Sequence, residues 1–318
     1  MTELEFAPMS YGAANLGNLY RAVKDEQARE ALETAWDVGI RYFDTAPHYG
    51  LGLSERRLGA FLASKPRDEF TISTKVGRLL RPNPDGIGRL DDANDFVVPA
   101  VLARVWDFSE DGIRQSLDES LGRLGLDSVD ILYLHDPERC NLGSSLETGI
   151  PGLARLKDEG LVSAIGLGSM SVDALLAGAR SGALDLLMVA GRFTLVDQSA
   201  LVDVIPECRE RGIGVVTAAV FNSGLLAPGA PASKLRYDYG SVPSDVLDRT
   251  NSIAAICADF GVELAAAALQ YTLRDSSVRT VVVGSSKPEQ IRQNADRLRV
   301  SIPEDLWSML VAERLIPA

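Results

Sequence analysis

The sequence has few of the residues from which metal and disulfide chemistry is built. Its 318 residues include three cysteines, Cys140, Cys208 and Cys257, which are scattered and form no CxxC pair. This number and spacing predict neither a disulfide framework nor a zinc site, and they fit a reducing compartment. Only two histidines occur, His48 and His135, so any imidazole chemistry must use one of them. We expect no metal site.

Positive charge and long apolar runs are also scarce. Lys and Arg number 32 against 44 Asp and Glu, which gives a net charge of −12. Nucleic acids and anionic membrane surfaces would repel such a chain. No apolar stretch reaches membrane-spanning length, and the N-terminus shows no basic region followed by an apolar segment. The sequence therefore predicts a cytoplasmic protein that acts on a small molecule and binds neither nucleic acid nor membrane.

The chain alternates between strand-like and helix-like segments. Short apolar runs predict buried parallel strands over residues 8–12, 41–43, 70–74, 129–134, 162–167, 185–189, 214–218 and 280–283. Amphipathic spacing predicts helices over residues 25–38, 109–124, 146–159, 172–181, 199–211, 244–260, 288–296 and 304–314. Eight strand–helix repeats without a Pro-, Gly- or Ser-rich linker predict a single domain, residues 1–318, folded as an α/β (β/α)8 TIM barrel.

Some details of this barrel can also be predicted. Residues 76–107 and 219–243 are long insertions after the third and seventh strands, so we expect extended loops at the C-terminal mouth, where barrel enzymes build their sites. Asp25 and Ser109 are expected to act as N-caps of their helices. A further helix can begin at Ser54 and Glu55.

Four chemically capable residues follow the ends of three successive strands. Asp44 ends the second strand with Tyr49 five positions later, Lys75 ends the third, and His135 ends the fourth. A Lys at the end of an apolar strand needs a charge partner, and Asp44 on the neighbouring strand can supply it. A nearby Lys cation stabilises a phenolate, and a neutral His can orient a substrate oxygen. This grouping predicts proton transfer at a carbonyl or hydroxyl carbon coupled to hydride transfer with a nicotinamide.

The motifs DTAPHYG with GLSE, then STK, then LHD resemble the aldo-keto reductase family. The resemblance extends from about residue 11 to about residue 294. It implies a (β/α)8 barrel that binds NAD(P)H at its C-terminal mouth. It also implies that Asp44, Tyr49, Lys75 and His135 form the catalytic tetrad, with Tyr49 as the proton-transfer group and Asp44 as the anchor of Lys75.

The cofactor must bind without a Rossmann fingerprint, because neither Gly50-Leu51-Gly52 nor Gly166-Leu167-Gly168 has the third glycine. Residues 281–294 run from the last strand into a helix whose first amides can take phosphate, and they resemble the family's adenosine-phosphate loop. With the rest of the resemblance, they imply cofactor contacts from Gly12, Ser169, Phe221, Gly284, Ser285, Gln290, Gln293 and Asn294. Many NADP-dependent relatives carry cations where Gly284 and Gln290 stand. Their absence predicts NAD rather than NADP, unless Lys287 or Arg292 compensates.

The nicotinamide end departs from the family pattern. Met170 stands where many relatives have Asn, and Ala190 stands where Gln is expected. Ala218 lies near the position of the aromatic residue that stacks on nicotinamide, and we expect Phe221 to replace it. The redox interpretation does not depend on these positions.

Residues 106–138, 189–198 and 218–227 resemble the aldose 1-dehydrogenase branch of the family, to which pyridoxal 4-dehydrogenase is similar. This resemblance implies oxidation of the cyclic hemiacetal of an aldose such as L-fucose to its lactone. The alternative is oxidation of pyridoxal hemiacetal to 4-pyridoxolactone with NAD. Trp106, Arg192 or Arg78, and His48 are candidate substrate contacts, with packing in the loops as the alternative role.

Two other function classes remain open at this stage. Some relatives are non-catalytic nucleotide-binding regulatory subunits, which would show an assembly partner and negligible turnover. A hydrolase on the same barrel would need a paired-carboxylate or metal site, and Asp44 is the only clear acidic candidate at the strand ends. The sequence does not predict the oligomeric state.

Overall fold

A computed structural model describes residues 4–227, 236–238 and 240–317 of the chain. Its strands are β1 (Met9–Gly12), β2 (Tyr42–Asp44), β3 (Thr71–Val76), β4 (Arg78–Pro82), β5 (Leu90–Asp91), β6 (Phe96–Pro99), β7 (Leu102–Trp106), β8 (Ile131–His135), β9 (Ala164–Ser169), β10 (Leu186–Ala190), β11 (Gly214–Ala218) and β12 (Val278–Val283). Within the described residues, eight of these strands close into a parallel barrel in the order β1-β12-β11-β10-β9-β8-β3-β2. This topology confirms the predicted (β/α)8 fold.

Helices surround the barrel and shield the outer face of its strands. They are α1 (Asp25–Asp37), α2 (Leu53–Leu62), α3 (Glu110–Leu124), α4 (Leu142–Asp158), α5 (Val172–Arg180), α6 (Val204–Arg211), α7 (Ser244–Asp259), α8 (Leu264–Tyr271), α9 (Pro288–Arg297) and α10 (Glu304–Ala312). Their apolar faces pack against side chains such as Phe43, Leu132 and Leu187, which are fully buried between helix and strand. A second cluster, which includes Tyr133 and Met188, fills the barrel interior. Strands buried on both faces explain the continuous apolar runs in the sequence.

The strand register places the predicted site residues at one end of the barrel. Asp44 is paired with Ser73, and Lys75 lies two residues further along β3, paired with Tyr133 of β8. His135 ends β8 and is paired with Gly168 of β9. Residues two apart on a strand point to the same face, so Ser73 and Lys75 both point toward Asp44.

Several local predictions need correction. Asp25 does not cap α1, because it is the first helical residue; its carboxylate accepts a hydrogen bond of 2.7 Å from Nε of Arg57. The predicted helix over residues 199–211 is divided into a 3-10 turn, Ser199–Leu201, and α6. Helix α8 was not predicted, because its alanines are buried on every side and show no polar face. Ser109 does cap α3, accepting a bond of 3.1 Å from the amide of Gly112.

The first insertion is a structured unit rather than an open loop. Strands β4 and β7 pair as an antiparallel hairpin from Arg78↔Trp106 to Pro82↔Leu102. The short strands β5 and β6 pair between them. The second insertion, 219–243, is described in part, and its residues 228–235 and 239 lie outside the described residues. The hairpin matters for the site because it begins at Arg78, just after β3, and returns Trp106 to the barrel mouth beside it.

Taken singly, none of the described helices is long and apolar enough to cross a bilayer. The pair Ser244–Asp259 and Leu264–Arg274 meets the length and composition test only when joined, and its two parts are bent by 105°.

Candidate active site

Lys75 is the centre of a buried hydrogen-bonded group at the barrel mouth. Its Nζ donates to Oδ2 of Asp44 at 2.6 Å, to the carbonyl of Thr45 at 3.0 Å and to the hydroxyl of Tyr49 at 3.2 Å. The second oxygen of Asp44 accepts a bond of 2.7 Å from the Ser73 hydroxyl. Asp44 therefore has both oxygens occupied and serves as an anchor for Lys75. Only 2% of the Lys75 side chain is exposed, so the ion pair is almost completely removed from water.

A tight glycine contact fixes the turn that carries Tyr49. A Cβ on Gly50 would lie 2.2 Å from the carbonyl oxygen of Gly17, and a Cβ on Gly17 would lie 2.5 Å from the carbonyl carbon of Tyr49. Gly50 also has a positive φ of 63°, a conformation that residues with a side chain rarely adopt. The two backbones can approach this closely only because both residues are glycines.

Burial and charge act in opposite directions on the two proton-transfer partners. Burial raises the pKa of Tyr49, while the Lys75 cation acts to lower it; the net shift is upward. Burial acts to lower the pKa of Lys75, but Asp44 and Tyr49 outweigh it, so Lys75 stays a cation. The predicted influence of Lys75 on Tyr49 is present, although burial exceeds it in the free protein.

His135 lies across from Tyr49, with ring centroids 6.1 Å apart and the planes at 84°. Burial, together with the nearby cations Arg78 and Lys75, holds the pKa of His135 well below its usual value. The imidazole is therefore neutral at physiological pH. Nη1 of Arg78 lies 3.0 Å from its Nδ1 and 3.4 Å from its Nε2.

Arg78 is itself held from two sides. Its Nη2 forms an ion pair with Asp136, and its guanidinium carbon lies 4.4 Å from the ring centroid of Trp106. Asp136 adopts the left-handed conformation, with a φ of 47°, directly after His135. Trp106 thus supports Arg78 and is absent from the lining of the catalytic cavity.

One cavity of about 700 Å³ extends from this group to the start of α9. Its wall includes all four tetrad residues. It also includes every residue for which a cofactor contact was predicted: Gly12, Ser169, Phe221, Gly284, Ser285, Gln290, Gln293 and Asn294. Its extended form, with chemistry at one end and a helix start at the other, suits a dinucleotide.

The α9 end of the cavity fits a phosphate group. No side chain caps α9, but Pro288 has no N–H, and the amide of Gln290 donates to the carbonyl of Lys287 at 3.1 Å. What this end offers an anion is therefore the amide of Glu289 and the positive end of the helix dipole. The backbone is crowded there, because a Cβ on Gly284 would lie 2.8 Å from the carbonyl oxygen of Gly12 and 2.8 Å from Oδ1 of Asn15. The Ser285 hydroxyl donates a hydrogen bond of 2.7 Å to Oε1 of Gln290 and thereby fixes the Gln290 side chain.

Behind Ser169, which lines the cavity, lies a carboxylate that the sequence did not indicate. The Ser169 hydroxyl donates to Oε1 of Glu138 at 2.7 Å, while Oε2 of Glu138 is buried without a partner in the described residues. Burial raises the pKa of Glu138, against the hydrogen bond from Ser169. Met170 and Ala190 line the same cavity. The position of Glu138 three residues after His135 was the signal available in the sequence.

The predicted substrate contacts lie in different places. His48 lines the catalytic cavity, with its ring centroid 5.8 Å from that of His135. Arg192 is absent from the residues lining the cavity, and its guanidinium binds Asp197, Asp238 and the carbonyl of Met170. The structure gives no support for a substrate contact by Arg192, because it lies off the cavity wall and each of its guanidinium nitrogens already has a protein partner.

A closed parallel barrel with a Tyr–Lys–Asp group and a neutral His at its mouth defines a barrel oxidoreductase of the nicotinamide-dependent type. In the described ranges, no group of three or more His, Cys, Asp or Glu could hold a metal ion. The model of the aldo/keto reductase family matches residues 8–312, and the chain belongs to this family. It is therefore an oxidoreductase that uses a nicotinamide cofactor.

Within the family, the chain is similar to sugar and pyridoxal dehydrogenases. The chain is 56% identical over 315 residues to a D-threo-aldose 1-dehydrogenase from Pseudomonas sp, covering 99% of this chain and 96% of that protein. It is 37% identical to a pyridoxal 4-dehydrogenase from Microbacterium luteolum, with the same coverage of 99% and 96%. Among solved structures, a holo-form aldo-keto reductase from Bacillus halodurans superposes with a TM-score of 0.78 at 22% identity, covering 100% of this chain and 95% of the other, which supports the fold alone.

Proposed function

We propose that this protein, acting as a single barrel domain, oxidises the cyclic hemiacetal of an aldose such as L-fucose to its lactone with NAD. The observation that carries the proposal is the Tyr49 hydroxyl, 3.2 Å from Nζ of Lys75 on the wall of the cavity shared with His135. The 56% identity to a D-threo-aldose 1-dehydrogenase supports an aldose as substrate.

Each of the four tetrad side chains has a different role in this reaction. Tyr49 takes the proton from the hydroxyl on the hemiacetal carbon, and Lys75 stabilises the tyrosinate that accepts it. His135, being neutral, orients the same oxygen by a hydrogen bond. The bound nicotinamide supplies the hydride acceptor for the carbon-bound hydrogen. Asp44 keeps Lys75 in place and takes no proton itself.

The preference for NAD is supported by the charges around α9. Gly284 and Gln290, on the wall near the helix start, are both neutral. Arg292 is directed toward α1, where its Nη2 lies 3.3 Å from the Thr34 hydroxyl. Arg297 lines the cavity, but Glu263 pairs with it at 2.8 Å. An additional 2′-phosphate would therefore find Arg292 and Arg297 already engaged. The cations left near the helix start are Arg21, which donates to the Ser286 hydroxyl at 2.7 Å, and the exposed Lys287.

The test is a substrate panel with NAD+ and NADP+ side by side. L-fucose, D-threose and pyridoxal are each incubated with the protein, and absorbance of the reduced cofactor is followed. We expect turnover of at least one aldose, faster with NAD+. Bound cofactor without turnover of any aldose would reject the proposal.

Pyridoxal is the second candidate substrate. It is favoured by the 37% identity to a pyridoxal 4-dehydrogenase over nearly the whole chain. Pyridoxal also forms an internal hemiacetal, so the same Tyr49 chemistry would apply. Turnover of pyridoxal with all aldoses inactive would select this alternative.

A further inference from the structure

A second cavity of about 330 Å³ lies under the β4–β7 hairpin, and we call it the hairpin chamber. Its wall includes His48, Arg78, Asp91, Asn94, Arg104 and Trp106. It shares His48, Asn94 and Arg139 with the catalytic cavity. The His48 ring centroid lies 6.0 Å from that of Tyr49, so the chamber adjoins the site of proton transfer.

Two buried polar atoms on the chamber wall have no hydrogen-bond partner among the described residues. They are Nε of Arg104 and Nδ1 of His48. Both other guanidinium nitrogens of Arg104 are engaged: Nη1 and Nη2 donate to Asp91 at 2.9 and 2.6 Å, and Nη2 also donates to the His48 carbonyl at 2.8 Å. Buried polar atoms are nearly always paired, so two unpaired ones on one wall indicate a polar ligand.

The charges on the wall favour a neutral ligand over an anion. Arg104 is matched by Asp91 and Arg78 by Asp136, so neither buried guanidinium has an unneutralised charge to offer. Arg139 has no ion pair among the described residues, but it is exposed, so water and salt screen its charge. Burial and the surrounding cations Arg78, Arg104, Arg139 and Lys75 hold the pKa of His48 well below its usual value, which leaves its ring neutral. Asp91 is only 8% exposed in its side chain, and its carboxylate would repel an anion.

Hydroxyl groups match this mixture of donors and acceptors, because each hydroxyl can both donate and accept. We propose that the hairpin chamber binds the hydroxyl groups of an aldose that lie far from the hemiacetal carbon, with Arg104 as a specificity-determining residue. This inference rests on the proposed function, because it assumes an aldose whose reacting carbon lies beside Tyr49. It predicts selection by the length of the sugar.

The hairpin provides matched positions for a test. Four residues of β7 line the chamber: Leu102, Ala103, Arg104 and Trp106. Val105 is absent from the lining, points away from Arg104 on the strand, and is 45% exposed. Arg104→Lys retains a cation for Asp91 but removes the Nε–H donor. Leu102→Trp fills the chamber. Val105→Trp places the same bulky side chain outside it and is the control.

The measurement compares the six-carbon aldose L-fucose with the four-carbon aldose D-threose. The pyranose ring of L-fucose carries a free hydroxyl on carbon 4, opposite the reacting carbon, whereas D-threose uses the oxygen on its carbon 4 to close its furanose ring. We expect the ratio of kcat/KM for L-fucose to that for D-threose to fall about tenfold in Arg104→Lys and in Leu102→Trp. Val105→Trp should retain the wild-type ratio. An unchanged ratio in both chamber variants would overturn the inference.

Two further results distinguish an anion site from a failure of the proposed function. If inorganic phosphate inhibits L-fucose oxidation competitively, and this inhibition disappears in Arg104→Lys, the chamber is an anion site and the inference is overturned. If the wild type oxidises neither sugar, the proposed function fails, and L-fucose binding to the cofactor complex is measured by tryptophan fluorescence instead. Binding weakened about tenfold by Arg104→Lys would still support the chamber, and equal binding would reject it.

Discussion

Nη1 of Arg78 lies 3.0 Å from Nδ1 of His135 and 3.4 Å from Nε2, and the shorter contact favours one tautomer of the imidazole. A guanidinium has only donors, so the nitrogen that it contacts more closely, Nδ1, is the better acceptor. The carboxylate of Asp136 lies 3.6 Å from Nε2 and favours a proton there. With the ring neutral, Nε2–H is the group that His135 can offer to a substrate oxygen.

This tautomer can be observed directly, because the chain contains only two histidines. Ring-nitrogen NMR of histidine-labelled protein should show neutral His135 with its proton on Nε2, assigned with the aid of His48→Gln. In Arg78→Met the proton should redistribute between the two nitrogens and the pKa of His135 should rise, because a donor and a cation are lost. Arg81→Met, on the same strand but paired with Glu119, is the control. Unchanged nitrogen shifts in Arg78→Met would contradict this role.

Tyr49→Phe tests the proton-transfer group. The substitution removes the hydroxyl and leaves the ring to fill its place, so we expect kcat to fall by about a hundredfold to ten-thousandfold. The affinity for NAD+, measured by fluorescence titration, should change little. Retained turnover would remove Tyr49 from the mechanism.

Asp44→Asn tests the anchoring of Lys75. The variant leaves a buried cation without its countercharge, which costs about 3–5 kcal/mol of unfolding free energy. Urea unfolding measures the loss. Asp25→Asn is the matched control, because Asp25 pairs with Arg57 at the surface with 82% of its side chain exposed, and such pairs contribute about 0–1 kcal/mol. Equal losses in the two variants would mean that the buried pair has no special role.

The two histidines predict a dependence of stability on pH. The pKa of each is lowered by burial in the folded protein, so the unfolded chain binds protons more readily. Their contribution is complete above the unfolded pKa of about 6.5 and is lost as the pH falls below it, by about 1.4 kcal/mol per pH unit for each histidine. A variant with both His48→Gln and His135→Gln should show a flatter decline in unfolding free energy between about pH 6.5 and 5. Parallel curves for the two proteins would refute the prediction.

Gln290→Arg should improve binding of NADP+ relative to NAD+ by about tenfold, because it adds a cation near the helix start. Gln290→Leu removes the same amide without adding charge and should give no such gain. A cation at Gly284 is a poorer choice, because the Cβ would collide with Gly12 and Asn15. Calorimetric titration with both cofactors measures the ratio, and an unchanged ratio in Gln290→Arg would place the 2′ position elsewhere.

The sequence predicted those features that follow from local pattern. Apolar runs located the barrel strands, and residue order at the strand ends predicted the contact of Lys75 with Asp44. The contact between Arg78 and His135 was not predicted, because the direction of the Arg78 side chain is set by the turn at Gly77 and by pairing with Trp106 at the far end of the hairpin, and neither is visible in the local pattern. Helix α8 was missed because burial on all sides leaves no helical periodicity to detect. Arg192 seemed available only because its ion pairs with Asp197 and Asp238 are invisible in the sequence.

The contact between Gly17 and Gly50 limits how this enzyme can be redesigned. Under the proposed role of the hairpin chamber, a library aimed at sugar selectivity would replace side chains on β7. At positions 17 and 50, by contrast, even alanine would force two backbones apart and shift Tyr49 relative to Lys75. The proposal therefore assigns selectivity and catalysis to separately mutable parts of the same mouth, and both glycines should stay constant in any directed evolution of this chain.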